Sequence, residues 1–391
     1  MVPTRLECKR ALVLSYYQPW VYAGCERYHQ LPLEELRQGR SQAYVYVAEA
    51  NGRSQIERNA RAKEYARLAL YQFISPNRVT PMSPYAAELS GEREVTLEEV
   101  VNRLQPHYVR AHFPVQDYID VLESSAFQKI PFLYDIIDLW DEFARTPWGD
   151  SSTEARYVNR ADAVTAVSHH LLNRLPAQIN KHLIPNAIDR VFLERIAPSV
   201  DMRLRPPSTS KRVLYMGGMA GSWFDWDLVR LVTHELQDHQ FTFLGPIEPA
   251  PEESDRDALA RTVAIIEELK VLPNVEFIPE VPHDDLVPWL QRADVGLIPF
   301  KPSNLTAAVS PLKVFEYLGA GAVVVQIGMP DIELYPGVRT AKDASDFVEL
   351  ARESDRMKLT ADEVSTIAYF CEHNTWAARI TQLDQLVDTL A

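Results

Sequence analysis

Ser310, Pro311, Leu312, Lys313 and Glu316 are the most chemically loaded spacing in this chain of 391 residues. Ser310 is a preferred N-cap and Pro311 suits the first helical position, where a missing N–H costs nothing, so a helix is expected to begin here. The open backbone N–H groups and positive dipole end of such a start attract phosphate. Lys313 is out of place in it. A cation in the first turn opposes the dipole, and a broken local rule tends to mark a functional site. Glu316, three residues on, lies near the same face and could accept hydrogen bonds from hydroxyls. The competing reading is an amphipathic helix with a Lys–Glu surface pair worth about 0.3 kcal/mol, which leaves the misplaced cation unexplained.

Short apolar runs over 293–300 and 322–327 flank this segment and are expected as buried strands. The same alternation runs through the chain. In the first half it predicts strands near 10–15, 43–48, 107–111, 130–135, 163–167 and 181–184, with helices near 25–39, 54–72, 94–104, 115–127, 152–161 and 168–176. A stretch containing Pro and Ser follows at 197–210. A second alternation then predicts strands near 212–218, 239–244, 274–278, 293–298, 322–327 and 338–340, with helices near 225–237, 252–270, 283–292, 311–318 and 343–353. The end reads as helix only, with Trp376, Ile380, Leu383 and Leu386 spaced as one apolar face. The expected class is α/β, with two doubly wound Rossmann-like domains at 1–190 and 211–360 and a linker at 191–210. Helices over 361–391 are expected to pack back across the join, and ligands to bind in a central cleft at the carboxyl ends of both sheets.

Composition narrows the partners. Hydrophobic residues make up 46% and charged residues 24%, the proportions of a globular protein. No apolar run approaches the roughly 20 residues that span a bilayer, and the N-terminus lacks the layout of a signal peptide. Cys8, Cys25 and Cys371 have no metal-ligand spacing and cannot all pair, so a reducing cytoplasm is the expected compartment. Net charge is −14, and residues 191–391 carry nearly all of it, with 18 Lys and Arg against 31 Asp and Glu. Nucleic acid is therefore not an expected partner. One local exception runs from Arg53 to Arg78, where six basic residues interleave with Tyr65, Leu68, Leu70, Tyr71 and Phe73. It reads either as a peripheral contact with an anionic membrane or as a solvated helix face.

Four stretches, in order, carry a family resemblance. They are Ala161-Asp162-Ala163-Val164-Thr165-Ala166-Val167-Ser168, Ile184-Pro185-Asn186-Ala187-Ile188-Asp189, Leu272 to Phe277 with Leu286 to Pro299, and Lys313-Val314-Phe315-Glu316-Tyr317-Leu318-Gly319-Ala320-Gly321. Together they resemble the GT-B glycosyltransferases, which move a sugar from a nucleotide donor. The resemblance implies that Lys313 neutralises the donor diphosphate, that the segment Ser310, Pro311 and Leu312 holds its oxygens through its backbone N–H groups, and that Glu316 holds ribose hydroxyls. It further implies that backbone around Pro279 and Val281 meets the base, and that Gly217 and Gly218 of the altered glycine-rich turn approach a phosphate. Neither metal nor cofactor is expected, because a lysine and a helix end can stabilise a departing nucleoside diphosphate. The Asp225-Trp226-Asp227 triplet imitates a metal-binding motif, but its place after a strand reads Asp225 as a helix cap.

Two departures from the family pattern shift the chemistry. No Arg or Lys follows the first strand of the second half before Arg230, so the charge burden moves onto Lys313. Ala308 stands where retaining relatives carry the first of two glutamates, which points to an inverting displacement with a general base from the first half. Asp138, which resembles the proposed base of exopolysaccharide glucuronosyltransferases, is the candidate, with a helix-cap role as its structural alternative; His112 is the second candidate. Asp135, Asp141 and Glu142 are neighbours able to bind acceptor or tune a pKa. Trp20, Gly24 and Arg27, in an aromatic-rich first turn, are the candidate acceptor contacts, with some of those aromatics expected in the core. Trp376 and Arg379 read as structural packing across the domain join. The expected activity is transfer from a nucleoside-diphosphate sugar, with uridine or guanosine as base, to a saccharide, lipid-linked or small-molecule acceptor in polysaccharide or glycolipid assembly. The rival readings are a sugar-nucleotide epimerase and a nucleotide-binding module without catalysis.

Overall fold

A computed structural model describes residues 9–17, 26–40, 42–47, 67–143, 146–197, 211–219, 223–247 and 256–390. Trp20, Gly24, Cys8, Cys25 and most of the basic stretch 53–78 lie outside them. The chain divides into two compact units, one of 1–186 with 376–391 and one of 187–375.

In the first unit the described strands are β1 (Ala11–Ser15), β2 (Gln42–Tyr46), β3 (Leu68–Ser75), β4 (Arg78–Pro81), β5 (Tyr108–Ala111), β6 (Phe132–Ile136), β7 (Ala163–Ala166) and β8 (Lys181–Leu183). They form one sheet in the order β4-β3-β2-β1-β5-β6-β7-β8, parallel except for the antiparallel β3–β4 pair. Strands β1, β2, β5, β6 and β7 are buried along their whole length, as strands of a parallel sheet covered by helices on both faces must be, and the burial takes in Gln42, Arg110, Asp135 and Thr165 with the apolar residues. In the second unit β9 (Arg212–Met216), β10 (Gln240–Leu244), β11 (Val275–Ile278), β12 (Val295–Ile298), β13 (Val323–Ile327) and β14 (Val338–Ala341) form an all-parallel sheet in the order β11-β10-β9-β12-β13-β14. Strand β9 pairs with β10 on one side and β12 on the other, so the order reverses there. Such a switch point is where doubly wound sheets bind ligands.

Helix starts follow local chemistry. Ser168 accepts from Leu171 N, Asp225 from Leu228 N and Asp343 from Asp346 N, while Thr96 with Glu99 and Thr360 with Glu363 form capping boxes. Asp225 is thus a cap.

Three expectations need correction. The helix predicted over 54–72 gives way, within the described residues, to β3 from Leu68, whose Tyr71 and Phe73 are buried core and not a membrane face. Its flanking cations are engaged as well: Arg67 donates to Gly39 O at 2.6 Å and Arg78 pairs with Glu94 at 2.9 Å. Residues 191–196, expected as linker, belong to a helix, Arg190–Ile196, which Asp189 caps and which packs within the second unit. Finally, the helix at the chemically loaded segment is Leu312–Gly319, with Pro311 as N-cap where Ser310 was expected. Pro311 supplies only a carbonyl, which accepts from Val314 N at 3.2 Å.

The last helix, Trp376–Leu390, returns to the first unit. It lies along the Arg27–Arg37 helix, and Arg379 donates to Pro185 O and Asn186 O at 2.9 and 3.1 Å, the structural role expected of it.

Candidate functional site

The Leu312–Gly319 helix presents Lys313, Glu316 and Tyr317 in close succession: Lys313 and Tyr317 engage the end of β9, and Glu316 engages the turn after β11. The Lys313 Nζ lies 4.3 Å from the centroid of the Tyr215 ring and 4.9 Å from that of Phe300, and it donates to the Tyr215 hydroxyl at 3.1 Å. Two aromatic faces thus hold the ammonium in place through their quadrupoles. The Tyr215 hydroxyl in turn donates to Gly218 O at 2.6 Å. Burial pushes the Tyr215 phenol far above its ordinary range, so it stays a neutral hydrogen-bond relay. The Tyr317 hydroxyl accepts from Met216 N at 2.9 Å, and its ring occupies the space a side chain at Gly296 would need.

These contacts fix the Gly217–Gly218 turn at the carboxyl end of β9. Gly217 has φ +121°, a conformation few L residues adopt, and a Cβ there would stand 2.9 Å from Lys313 Nζ. Gly245, at the end of β10, comes so close to the carbonyl of Gly217 that a Cβ would meet it at 2.2 Å. The turn, the lysine and the helix start are therefore one assembly at the switch point of the second sheet. Pro279 is exposed and Val281 half-buried just beyond β11, while Ser310 and Pro311 are buried and Leu312 half-buried.

Glu316 is buried, and its Oε1 lies 2.6 Å from Nε2 of His283, which is itself buried and stacked on Phe192 with ring centroids 4.0 Å apart. Sequence reasoning missed this histidine. It lies 33 residues from Glu316, and no spacing rule connects them. Ala308, in a short helix Asn304–Ala308, is fully buried.

In the first unit, Asp138 follows β6 and is half-buried. It accepts from Leu139 N at 2.8 Å, and burial pushes its pKa up to about 6 despite that bond. A carboxylate in this range is matched to general-base work near neutrality. His112 is different. It is fully buried, its Nδ1 lies 3.0 Å from Asp135 Oδ2, and burial holds its pKa below the ordinary histidine value although Asp135 acts to raise it. Asp135 is itself locked. Arg27 donates to both its oxygens, at 2.7 and 3.0 Å, and Thr165 donates to Oδ1 at 2.5 Å. Burial alone would raise the Asp135 pKa, but Arg27 and His112 hold it well below the carboxylate range.

Arg27 corrects the acceptor expectation. It is only 1% exposed, and its remaining donor reaches Ile184 O and Pro185 O at 2.9 and 3.1 Å. Its charge serves the buried network. Asp141 is exposed and paired with Arg174. Of the expected aromatics, Tyr16 and Tyr17 are half-buried after β1, with Trp148 4.6 and 5.6 Å away and Phe113 between them and Trp140. Tyr28 is core.

The fold is shared with solved proteins. A glycosyltransferase from Rickettsia africae ESF-5 aligns over 98% of both chains at TM-score 0.65 and 12% identity. Alr3699/HepE of Anabaena, solved in complex with UDP and glucose, aligns over 97% of this chain and all of its own at TM-score 0.64 and 13% identity. A family model described as "Glycosyl transferase-like" matches residues 226–385, the span that holds Lys313, Glu316 and Tyr317. The chain thus shares the fold of these glycosyltransferases, and its residues 226–385 are similar to the glycosyl transferase-like family. Among curated proteins it is similar to the putative teichuronic acid biosynthesis glycosyltransferase TuaH of Bacillus subtilis (strain 168), at 26% identity over 230 residues. That is 54% of this chain, and the match spans 53% of the relative's length, about half.

Proposed function

We propose that this protein transfers a glycosyl group from a nucleoside-diphosphate sugar to a saccharide or lipid-linked acceptor in polysaccharide assembly. One observation carries the reading: Lys313, clamped between Tyr215 and Phe300, stands against the Gly217–Gly218 turn at the switch point of the second sheet. A cation fixed there, with turn backbone beside it, suits two phosphates and the charge that develops as they depart. Uridine is the favoured base, since HepE is solved with UDP and with UDP-glucose. A saccharide acceptor is favoured by the teichuronic acid assignment of TuaH.

Asp138 is the proposed base in an inverting displacement. It takes the proton of the acceptor hydroxyl as that oxygen attacks the anomeric carbon, while Lys313 stabilises the leaving diphosphate. The reading calls for no cofactor and no metal, because the lysine supplies the counter-charge. The test is calorimetric titration of UDP and GDP into wild type and Lys313→Ala, followed by nucleoside diphosphate release with and without added saccharide acceptors. Binding of one nucleotide that Lys313→Ala loses, and release that rises with acceptor, are expected. Release indifferent to acceptor overturns transfer and leaves an epimerase or a binding module.

A further inference from the structure

Three elements meet around the carboxylate of Glu316. The Leu312–Gly319 helix carries it, and the Arg190–Ile196 helix packs against that helix so closely that a Cβ on Gly319 would lie 2.7 Å from Leu193 Cδ1 and 3.1 Å from Ile196 Cδ1. The third element is the single turn His283–Leu286, which follows β11. Asp284 ties it to the second helix: Arg195 donates to Asp284 Oδ1 at 2.6 Å and to its carbonyl at 3.0 Å. His283 sits in the middle. Its ring lies 28° from parallel with Phe192, and its Nε2 reaches Glu316 Oε1 at 2.6 Å.

We propose that His283 is a positioning residue of the nucleotide site, orienting the Glu316 carboxylate for ribose. The inference rests on the nucleotide-binding reading given above. An ionised carboxylate can only accept, so the hydrogen of the short bond lies on Nε2. That bond occupies Oε1 and fixes the carboxylate plane, which gives Oε2 one direction in which to accept from a ribose hydroxyl. A glutamate held by its backbone alone would sample several rotamers and lose that direction on each exchange. The Phe192 face fixes the imidazole, and the Arg195–Asp284 pair fixes the turn that carries it. The feature recognised is therefore a ribose with its hydroxyls intact, and the selectivity comes from a residue that does not touch the nucleotide.

The experiment compares the dissociation constants of UDP and its 2′-deoxy and 3′-deoxy analogues, or the guanosine set if GDP is the nucleotide bound. The proteins are full-length wild type, His283→Phe and His283→Gln. His283→Phe keeps a ring on Phe192 and removes the donor; His283→Gln restores an N–H at a similar reach. Wild type is expected to prefer the ribonucleotide to at least one deoxy analogue by about tenfold or more, as the loss of a hydrogen bond to a charged group implies. His283→Phe is expected to collapse that ratio toward one with the deoxy affinity unchanged, and His283→Gln to recover most of it. An unchanged ratio in His283→Phe, or an equal loss for ribo- and deoxynucleotide, overturns the proposal. If His283→Phe does not fold by thermal melting, His283→Leu takes its place with the same two outcomes. Failure of the underlying reading looks different: wild type then binds neither nucleotide.

Discussion

With Asp138 as the proposed base, activity and stability depend on one titration. Burial pushes its pKa up to about 6, against about 3.9 for an unstrained aspartate, so between those values the native state binds more protons than the unfolded chain. The stability this contributes is complete below about pH 4 and is lost as pH rises through about 6, on the order of 2–3 kcal/mol if the full shift is expressed. As a base, the same group works only when deprotonated. Transfer is therefore expected to fall below a limb near pH 6, read from kcat/KM against pH. Asp138→Asn is expected to lose roughly 10²–10⁴-fold in transfer, to keep donor affinity, and to melt higher than wild type at pH 8 but not at pH 4. A variant that stays active, or that gains nothing at pH 8, removes Asp138 from the role. Legibility differed sharply among single residues. Lys313 stands out in the sequence because a cation at the wrong helix end is a local anomaly, and the fold sets it against the Gly217 turn. Arg27 was misread because a charged residue among aromatics looks like a ligand contact, and only the fold brings Asp135, 108 positions away, to neutralise it.

At the scale of elements, the site depends on two places where backbone must come close. In β12, a Cβ at Gly296 would stand 2.4 Å from the Tyr317 ring, whose hydroxyl holds the Met216 amide. Gly296→Ala is expected to cost about 1–3 kcal/mol in urea unfolding as the ring is displaced, and to weaken nucleotide binding because the Gly217–Gly218 turn loses its anchor. Tyr317→Phe separates the two effects. It leaves the ring in place and strips the acceptor from a buried N–H, so a loss of about 1–3 kcal/mol without a clash is the expected result. Equal nucleotide affinity in wild type and both variants would detach the turn from the site. Apart from β3 and β4, the strands were plain in the sequence, since apolar runs bounded by turn residues have few other uses. β3 was missed because the basic run before it carries a helical look forward to Leu68. The Arg190–Ile196 helix was missed because it opens directly beside a Pro- and Ser-containing stretch and spans only seven residues.

For the molecule as a whole, the chain leaves the first unit after Asn186 and re-enters it at Trp376, and the residues at the two crossings are joined. Ile188 bridges Thr375 in parallel fashion, with Ile188 N donating to Asn374 O at 3.0 Å. The helix Trp376–Leu390 is therefore a remote segment that completes the first unit, and the apolar spacing of Trp376, Ile380, Leu383 and Leu386 was readable while its destination was not. Arg379 reaches the carbonyls of Pro185 and Asn186, Lys9 reaches Asp388 at 2.7 Å, and Arg40 pairs with Asp384. Removing residues 376–391 uncovers the first-unit surface, the Arg27–Arg37 helix included, against which Trp376, Ile380, Leu383, Leu386 and Val387 are buried, and leaves the carbonyls of Pro185 and Asn186 without Arg379. Calorimetry on wild type is expected to show two unfolding steps, with saturating nucleotide raising the step of the second unit, as ligand linkage requires. In the truncated chain the nucleotide-sensitive step should stay within a few degrees of its wild-type position, while the insensitive step falls steeply or disappears. Should both steps fall together, the helix stabilises the two units alike, and the second unit's nucleotide site is not independent of it.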